Sequence, residues 1–231
     1  MTDPSPPTKD RLLEAAEHLF ASRGFDEVSI RELAAAAGVN IAAVNYHFQG
    51  KENLFHEVCA RRFSAQRDRT LQALEALQKE SNPPPTLAMV IRTLVNEYLE
   101  GTLAADGGPG FLMAVSRELH EPEACDRGAM FKNMIQPVFS SFSSALQNVA
   151  PQLDPDQMTW IIASIVGQIH HFIMRWVKKE AMDPQNETYG IMLRIFPVLG
   201  EPLPVYIEQV TDHITRFTTA AITGMNREES A

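Results

Sequence analysis

The sequence has few cysteines and no metal-finger arrangement of them. Cys59 and Cys125 are the only two among 231 residues, with no CxxC pair and no histidine at metal-finger spacing. This pattern excludes a disulfide framework and a zinc module, and it fits a reducing cytoplasm. We expect both cysteines to be small buried apolar groups.

A surplus of basic residues is also missing. The 20 Lys and Arg residues face 29 Asp and Glu residues, so the formal net charge is −9 at pH 7. Proteins that bind nucleic acid or anionic membranes through a generally basic surface have the opposite balance. A nucleic-acid site in this chain must therefore consist of a few well-placed donors.

No targeting or membrane-spanning segment stands out. Residues 1–7 are polar and proline-rich, without the apolar core of a signal peptide, so we expect a cytoplasmic protein. The longest apolar stretch, residues 160–177, approaches the length of a membrane span. It is interrupted by polar groups, which favours a buried helix. These groups are Ser164, Gln168, His170, His171 and Arg175.

Catalytic and metal-binding motifs are absent as well. The sequence contains no nucleophile elbow, phosphate-binding loop or dinucleotide fingerprint, so we predict a protein that is not an enzyme and has no cofactor. His170 and His171 are adjacent and would point about 100° apart on a helix. No His or Glu follows them at helical metal-site spacing, so we predict no metal site.

Apolar residues instead recur at three- and four-residue spacings, which predicts an all-α protein because no alternating strand pattern competes. A first helix is expected over residues 8–23, with Thr8 as N-cap and Gly24 as stop. Shorter helices begin at Ser29 and Asn40, and a long one follows Lys51. Beyond a proline-rich loop at 81–85, helices are predicted over 86–103, 110–120, 123–149, 155–180, 188–196 and 203–224.

The most informative segment is residues 29–48, SIRELAAAAGVNIAAVNYHF. Ser29 and Glu32 form a capping-box pattern, Ala34 allows close helix contact, and Gly38 allows a left-handed turn. This pattern predicts a helix-turn-helix, whose second helix lies in the DNA major groove. The alternative is an alanine-rich hairpin inside an ordinary helical bundle. Polar groups on and just after the second helix favour DNA binding, namely Asn40, Asn45, Tyr46, His47 and Lys51.

Residues 8–58 resemble the N-terminal domain of TetR-type transcriptional regulators. The matching residues, in the family's order and spacing, are Ser29-Ile30-Arg31-Glu32-Leu33-Ala34, Ala37-Gly38-Val39, Tyr46-His47-Phe48, Lys51 and Leu54-Phe55. The resemblance implies a DNA-binding domain over 8–58 and a ligand-binding and dimerisation domain over 59–227. Residues 110–177 also resemble a subfamily associated with the control of transporter and efflux genes. Its matching segments are Ser116-Arg117-Glu118-Leu119, Pro122, Gln136-Pro137-Val138-Phe139 and Ile165-Val166-Gly167-Gln168.

Roles in DNA binding are assigned residue by residue. Tyr46, His47 and Lys51 resemble the family's phosphate contacts. Ser29 and Arg31, at the start of the second helix, and Thr8 and Lys9, at the start of the first, are further candidates for phosphate. For the bases we expect Asn45 to contact an edge and the methyl groups of Ala42 and Ala43 to suit thymine, while Asn40 lies at the start of the same helix. Ile41 fits the core equally well.

The rest of the chain is expected to dimerise and to bind an effector. The predicted helices 155–180 and 203–224 are candidate dimer elements, although complete burial within one subunit explains their apolar pattern equally. Polar residues embedded in apolar helices satisfy one another or line a pocket for a small, largely apolar molecule. The candidate pocket residues are Arg117, His120, Phe139, Gln168, His171, Phe172 and Arg175.

Together these features predict a homodimeric, ligand-responsive repressor that binds a palindromic operator in double-stranded DNA and is released by its effector. Two alternatives remain at this level. One is a helical carrier or enzyme for small molecules in which the N-terminal motif is only structural. The other is an activator without a small-molecule effector.

Overall fold

The computed structural model of the protein describes residues 7–103, 132 and 136–228. Within these ranges the chain forms nine α-helices and one short 3-10 helix and contains no strand, which confirms the predicted all-α class. The helices are α1 (Thr8–Arg23), α2 (Ile30–Ala36), α3 (Ile41–Phe48), α4 (Lys51–Glu80), α5 (Leu87–Leu103), α6 (Gln136–Val149), α7 (Pro155–Glu180), α8 (Glu187–Ile195) and α9 (Leu203–Glu228), with the 3-10 helix at Pro197–Gly200.

The observed ends of α1 agree with the caps predicted from the sequence, with one exception. Gly24 ends α1 at a φ of 81°, as predicted, and its N–H donates to the carbonyl of Phe20. The prediction that Thr8 caps α1 is wrong, because Thr8 is its first residue and Pro7 takes the cap position. The carbonyl of Pro7 accepts from the N–H groups of Asp10 and Arg11 and so begins the helix. The predicted helix over 110–120 and the first part of the one over 123–149 lie outside the described residues.

The described chain forms two compact units, with α4 contributing to both. The first unit contains residues 7–65. Its core includes Phe20 and Phe55, whose rings meet edge to face with centroids 5.3 Å apart, and Phe25 packs against both. Buried apolar residues of all four helices and of their connections surround them, namely Leu12, Leu13, Ala16, Val28, Leu33, Ala34, Ala37, Val44, Phe48, Leu54, Val58 and Cys59. This core fixes α3 against α1 and α2.

The second unit contains residues 66–103 and 136–228. Its central pair of helices is α5 and α9, and α7 packs beside them. The Tyr206 hydroxyl of α9 donates to the carbonyl of Phe172 in α7 at 2.7 Å, and its ring lies against that of Trp176. Burial raises the pKa of the Tyr206 hydroxyl. None of the described helices is both long enough and apolar enough to cross a membrane.

Candidate nucleic-acid interface

The turn between α2 and α3 has the geometry that the sequence predicts. Gly38 has a φ of 63°, in the left-handed region that favours glycine. The N–H of Gly38 donates to the carbonyl of Ala35, and that of Val39 donates to the carbonyl of Ala34 at 2.9 Å. A Cβ atom at position 38 would have no neighbour closer than 3.9 Å. The backbone angle, rather than a lack of space, therefore accounts for glycine at this position.

Helix α3 is fixed at both ends and along its inner side. The Asn40 side chain caps it by accepting from the N–H of Ala42 at 2.9 Å, as predicted. Gln49 ends the helix in a left-handed conformation with a φ of 62°. Val44 and Phe48 are buried in the core of the first unit. The opposite side of α3 is thereby held outward.

This outward side, the α3 outer face, consists of Ile41, Ala42, Asn45 and Tyr46, all of which are exposed. Tyr46 is 84% exposed, and its ring meets the His47 ring edge to face with centroids 5.0 Å apart. Its hydroxyl group is therefore presented away from the core. Spacing alone left Ile41 as either core or surface, but it is 42% exposed.

The other two candidates on α3 have a different position. Ala43 is partly buried and packs against the core of the first unit, so its methyl group does not belong to the outer face. His47 is half-buried, with its ring between those of Tyr46 and Phe48.

The N-terminus of α2 is already engaged by a carboxylate of the protein. Ser29 and Glu32 form the predicted capping box, in which the backbone N–H and the hydroxyl of Ser29 both donate to Glu32 Oε2, at 2.8 and 2.7 Å. Arg23 Nη1 lies 2.7 Å from Glu32 Oε1. These contacts, led by the Ser29 side chain, lower the pKa of Glu32 to about 2. The N–H and hydroxyl of Ser29 are thus both engaged by Glu32, whereas the side chain of the neighbouring Arg31 is exposed.

The cationic side chains near α3 differ in their partners. Lys9 pairs with Glu57 of α4 at 2.9 Å, and both side chains are about half exposed. Lys51 lies over the ring of Phe25, 4.1 Å from its centroid, so the ring holds the ammonium group in place. Arg31 is exposed and has no ion pair within the described residues. Thr8 is half-buried at the start of α1.

The candidate effector residues that are described lie on α6 and α7. Gln168 donates to the carbonyl of Ser164 one turn earlier, and the Arg175 guanidinium lies 4.7 Å from the centroid of the Phe196 ring. His171 is exposed, and the half-buried Phe172 faces His213. These contacts give the polar groups partners or solvent. Phe139 is half-buried on α6, whereas Arg117 and His120 lie outside the described residues.

A groove of about 470 Å³ lies between the start of α5 and the second half of α9. It contains none of the residues predicted to bind an effector. Small side chains and Arg216 line it, the full set being Ala88, Thr215, Arg216, Thr219, Ala220, Thr223 and Gly224. Among the described residues no group of His, Cys, Asp and Glu could hold a metal ion, and Cys59 is buried and forms no disulfide there. Cys125 lies outside them.

The first unit matches a known family. Residues 12–58 match the model of the bacterial regulatory proteins of the tetR family. The chain is 31% identical over 91 residues to the probable HTH-type transcriptional regulator YttP of Bacillus subtilis. This matched segment covers 39% of this chain and 44% of the relative. It is 35% identical over 66 residues to the HTH-type transcriptional repressor BepR of Brucella suis, 29% of this chain and 32% of the relative. The matched segments thus span less than half of these curated relatives.

The described fold also matches solved structures. One is the transcriptional regulator FadR of Bacillus subtilis, which was solved in complex with stearoyl-CoA. The TM-score is 0.61 at 13% sequence identity, over 82% of this chain and 96% of that one. At this identity the similarity concerns the fold alone.

Proposed function

Because the chain carries an N-terminal domain of the TetR family, we propose that it is a DNA-binding transcriptional regulator, and specifically a repressor of a palindromic operator. The α3 outer face enters the major groove, and flanking groups bind the phosphate backbone. The protein is not an enzyme in this proposal, and it works in the cytoplasm, where a bacterial operator lies.

The observation that carries the proposal is that the α3 outer face is exposed and its polar side chains are available to a ligand. Val44 and Phe48 anchor the helix, while the side chains of Asn45 and Tyr46 point away from the core without a hydrogen-bond partner among the described residues. A helical hairpin with a purely structural role does not require an exposed amide, an exposed phenol and a nearby cation together on this side of α3. Lys51 supplies that cation at the start of α4.

A gel-shift titration on the DNA upstream of the protein's own gene tests the proposal. Lys51→Ala should weaken binding and make the dependence of log K on log[salt] shallower by about one per subunit, because one phosphate contact is lost. Tyr46→Phe should weaken binding about tenfold through the loss of one hydrogen bond to a charged group. Lys51→Arg keeps the charge and should retain most of the affinity.

Lys79→Ala is the matched control, since Lys79 is an exposed lysine at the far end of the same helix. It should leave DNA affinity unchanged. Unchanged affinity in both Lys51→Ala and Tyr46→Phe would rule out the phosphate assignment. A wild-type protein that fails to retard this DNA at low salt would favour a carrier or enzyme with a structural N-terminal motif.

We also propose that the regulator is a homodimer formed through the outward sides of α7 and α9. Large apolar groups on these helices are exposed, with Trp160 at 74% and Phe217 at 58%. By contrast, Ile162, Ile165 and the other buried isoleucines of α7 face the subunit's own core. The partner would therefore cover Trp160 and Phe217 rather than the isoleucine stripe.

The effector in this proposal is a small, largely apolar molecule bound by the second unit. A regulator of similar fold was solved with stearoyl-CoA, and we propose this long-chain molecule as the first ligand to test. If such a ligand weakens operator binding by some factor, operator must weaken ligand binding by the same factor. Equal ligand affinities with and without operator would exclude induction by the ligand tested.

A further inference from the structure

The α3 outer face has no charged residue with which to read DNA. The helix sequence, IAAVNYHF, contains no Lys, Arg, Asp, Glu, Ser or Thr. Successive residues of an α-helix are about 100° apart, so Ile41 and Asn45 form one row on the surface and Ala42 and Tyr46 form the next. Residues four apart have Cβ atoms roughly 5–6 Å from each other. The four side chains therefore make one small, continuous contact patch.

The chemistry of this patch fits A·T base pairs. An asparagine pairs in bidentate fashion with N6 and N7 of adenine, and apolar side chains contact the C5 methyl group of thymine. Asn45 supplies the amide, and Ile41 and Ala42 supply the apolar contacts. Ile41 and Ala42 begin α3, at the end that meets base edges in this type of motif, and Asn45 lies one turn further along the same side.

The usual means of reading guanine is missing from the same patch. Arg or Lys paired with O6 and N7 is the commonest specific contact to guanine. The nearby cations belong to other helices, Arg31 to α2 and Lys51 to α4, and the Lys51 ammonium lies over the Phe25 ring. His47 is half-buried between two aromatic rings, on the side of α3 away from Asn45.

We propose that the α3 outer face selects operator half-sites whose most strongly specified base pairs are A·T. Asn45 contacts an adenine, and Ile41 and Ala42 contact thymine methyl groups on neighbouring pairs. One turn of α3 separates Ile41 from Asn45, and base pairs are about 3.4 Å apart along the duplex, so the contacts extend over two or three pairs. This specificity rests on the proposed function, in which α3 binds the major groove.

In vitro selection from a random double-stranded DNA library, with the full chain, identifies the half-site directly, because all sequences compete for the same protein. A·T pairs should dominate its most constrained positions. Replacing thymine by deoxyuridine at those positions, one at a time, removes only the methyl group and should weaken binding about fourfold at one or two of them, as expected for one lost methyl contact.

Variants assign each contact to its residue. Ile41→Ala should abolish the deoxyuridine effect at one position while the wild-type preference elsewhere remains. Asn45→Ala should weaken binding about tenfold or more and remove the preference for A·T over G·C at one pair. Gln72→Ala, at an exposed residue in the second unit, is the control and should leave the selected sequence unchanged.

The two proposals fail in different ways. If no sequence is enriched at any salt concentration, the proposed regulatory function is overturned. If a specific site is enriched but its constrained pairs are G·C, or binding is insensitive to deoxyuridine and to Asn45→Ala, the base preference is overturned while DNA binding by the protein stands.

Discussion

At the scale of single residues, Gly101 of α5 lies against two side chains of α4. A Cβ atom there would lie 1.7 Å from Gln66 Oε1 and 2.0 Å from Arg69 Nη2. Both side chains of α4 donate to the carbonyl of Glu97 on α5, Gln66 at 2.8 Å and Arg69 at 2.9 Å. Glycine at 101 thus leaves room for two donors on one backbone oxygen.

We therefore expect Gly101→Ala to lower the free energy of unfolding by about 2 kcal/mol. The added methyl group pushes Gln66 and Arg69 away from the Glu97 carbonyl, and losing these two hydrogen bonds outweighs the gain of about 1 kcal/mol from replacing glycine inside a helix. Gly190→Ala is the control, since nothing lies within 4 Å of a Cβ atom there. It should stabilise the protein by about 0.5–1 kcal/mol. Urea denaturation at a fixed protein concentration measures the free energy of unfolding of both variants. Equal changes in Gly101→Ala and Gly190→Ala would contradict this role of Gly101.

At the scale of helices, the start of α2 shows how a local motif affects the first unit. The Glu32 carboxylate accepts from Ser29 and pairs with Arg23 at the end of α1. The carboxylate thereby links the end of α1 to the start of α2, and its negative charge offsets the partial positive charge at the N-terminus of α2. The same contacts leave Arg31 as the basic group at this corner.

Glu32 provides a prediction that depends on pH. Its pKa is lowered from 4.5 to about 2, so its ionised form favours the folded state. The stabilisation is complete above about pH 4.5 and is lost as the pH falls toward 2. In a carbon-detected NMR titration, Ser29→Ala should raise the pKa of Glu32 toward 4.5. Ser22→Ala, which removes a hydroxyl bonded only to carbonyls of α1, should not change it. An ordinary pKa for Glu32 in the unmodified protein would show that the capping box does not form in solution.

Helix α9 buries a series of threonines. Thr211, Thr215 and Thr218 are at most 6% exposed, and their hydroxyl groups have no hydrogen-bond partner within the described part of the chain. An unpaired buried hydroxyl group costs roughly 1–3 kcal/mol. The helix therefore has stability to gain at these positions.

Thr211→Val replaces a hydroxyl group by a methyl group of similar size at a fully buried position. It should raise the free energy of unfolding by about 1 kcal/mol, because the cost of removing the hydroxyl group from water disappears. Thr223→Val is the control, since the exposed Thr223 donates to the carbonyl of Thr219 at 2.8 Å. Thermal denaturation compares the two. A loss of stability in Thr211→Val would mean that its hydroxyl group has a partner in solution.

At the scale of the whole molecule, the net charge of −9 is unevenly distributed along the chain. Residues 1–69 contain nine basic and ten acidic residues, a net charge of −1, whereas residues 70–231 contain eleven and nineteen, a net charge of −8. The acidic surplus thus belongs almost entirely to the part assigned to ligand binding and dimerisation. A few placed donors are enough for DNA binding when the surrounding domain is nearly neutral.

Placing a charged residue in the proposed interface tests whether the dimer forms there. Phe217→Glu should convert a dimer into a monomer in size-exclusion chromatography with light scattering, because a desolvated carboxylate replaces an apolar contact. Leu71→Glu, at an exposed leucine of α4, is the control and should remain dimeric. The Phe217→Glu protein should also lose cooperative binding to a palindromic site. A wild-type chain that elutes as a monomer would exclude this interface.

Interactions between near neighbours in the chain were predictable from sequence. The capping box at Ser29, the left-handed Gly24 and Gly38, and the Asn40 cap each depend on a backbone angle or a hydrogen bond within a few residues. Such features are the same whatever surrounds them. The all-α class and the helix-turn-helix followed from them, together with the apolar periodicity.

Packing between distant segments decided the rest. Ile41 and Ala43 are both apolar residues of one short helix, yet one is exposed and the other packs on the core, because α1 and α2 cover only one side of α3. Lys9 meets Glu57, 48 positions away, and the most exposed large apolar groups of α7 and α9 are Trp160 and Phe217 rather than the isoleucine stripe. Periodicity identifies an apolar face, but only the assembled helices determine which neighbour covers it.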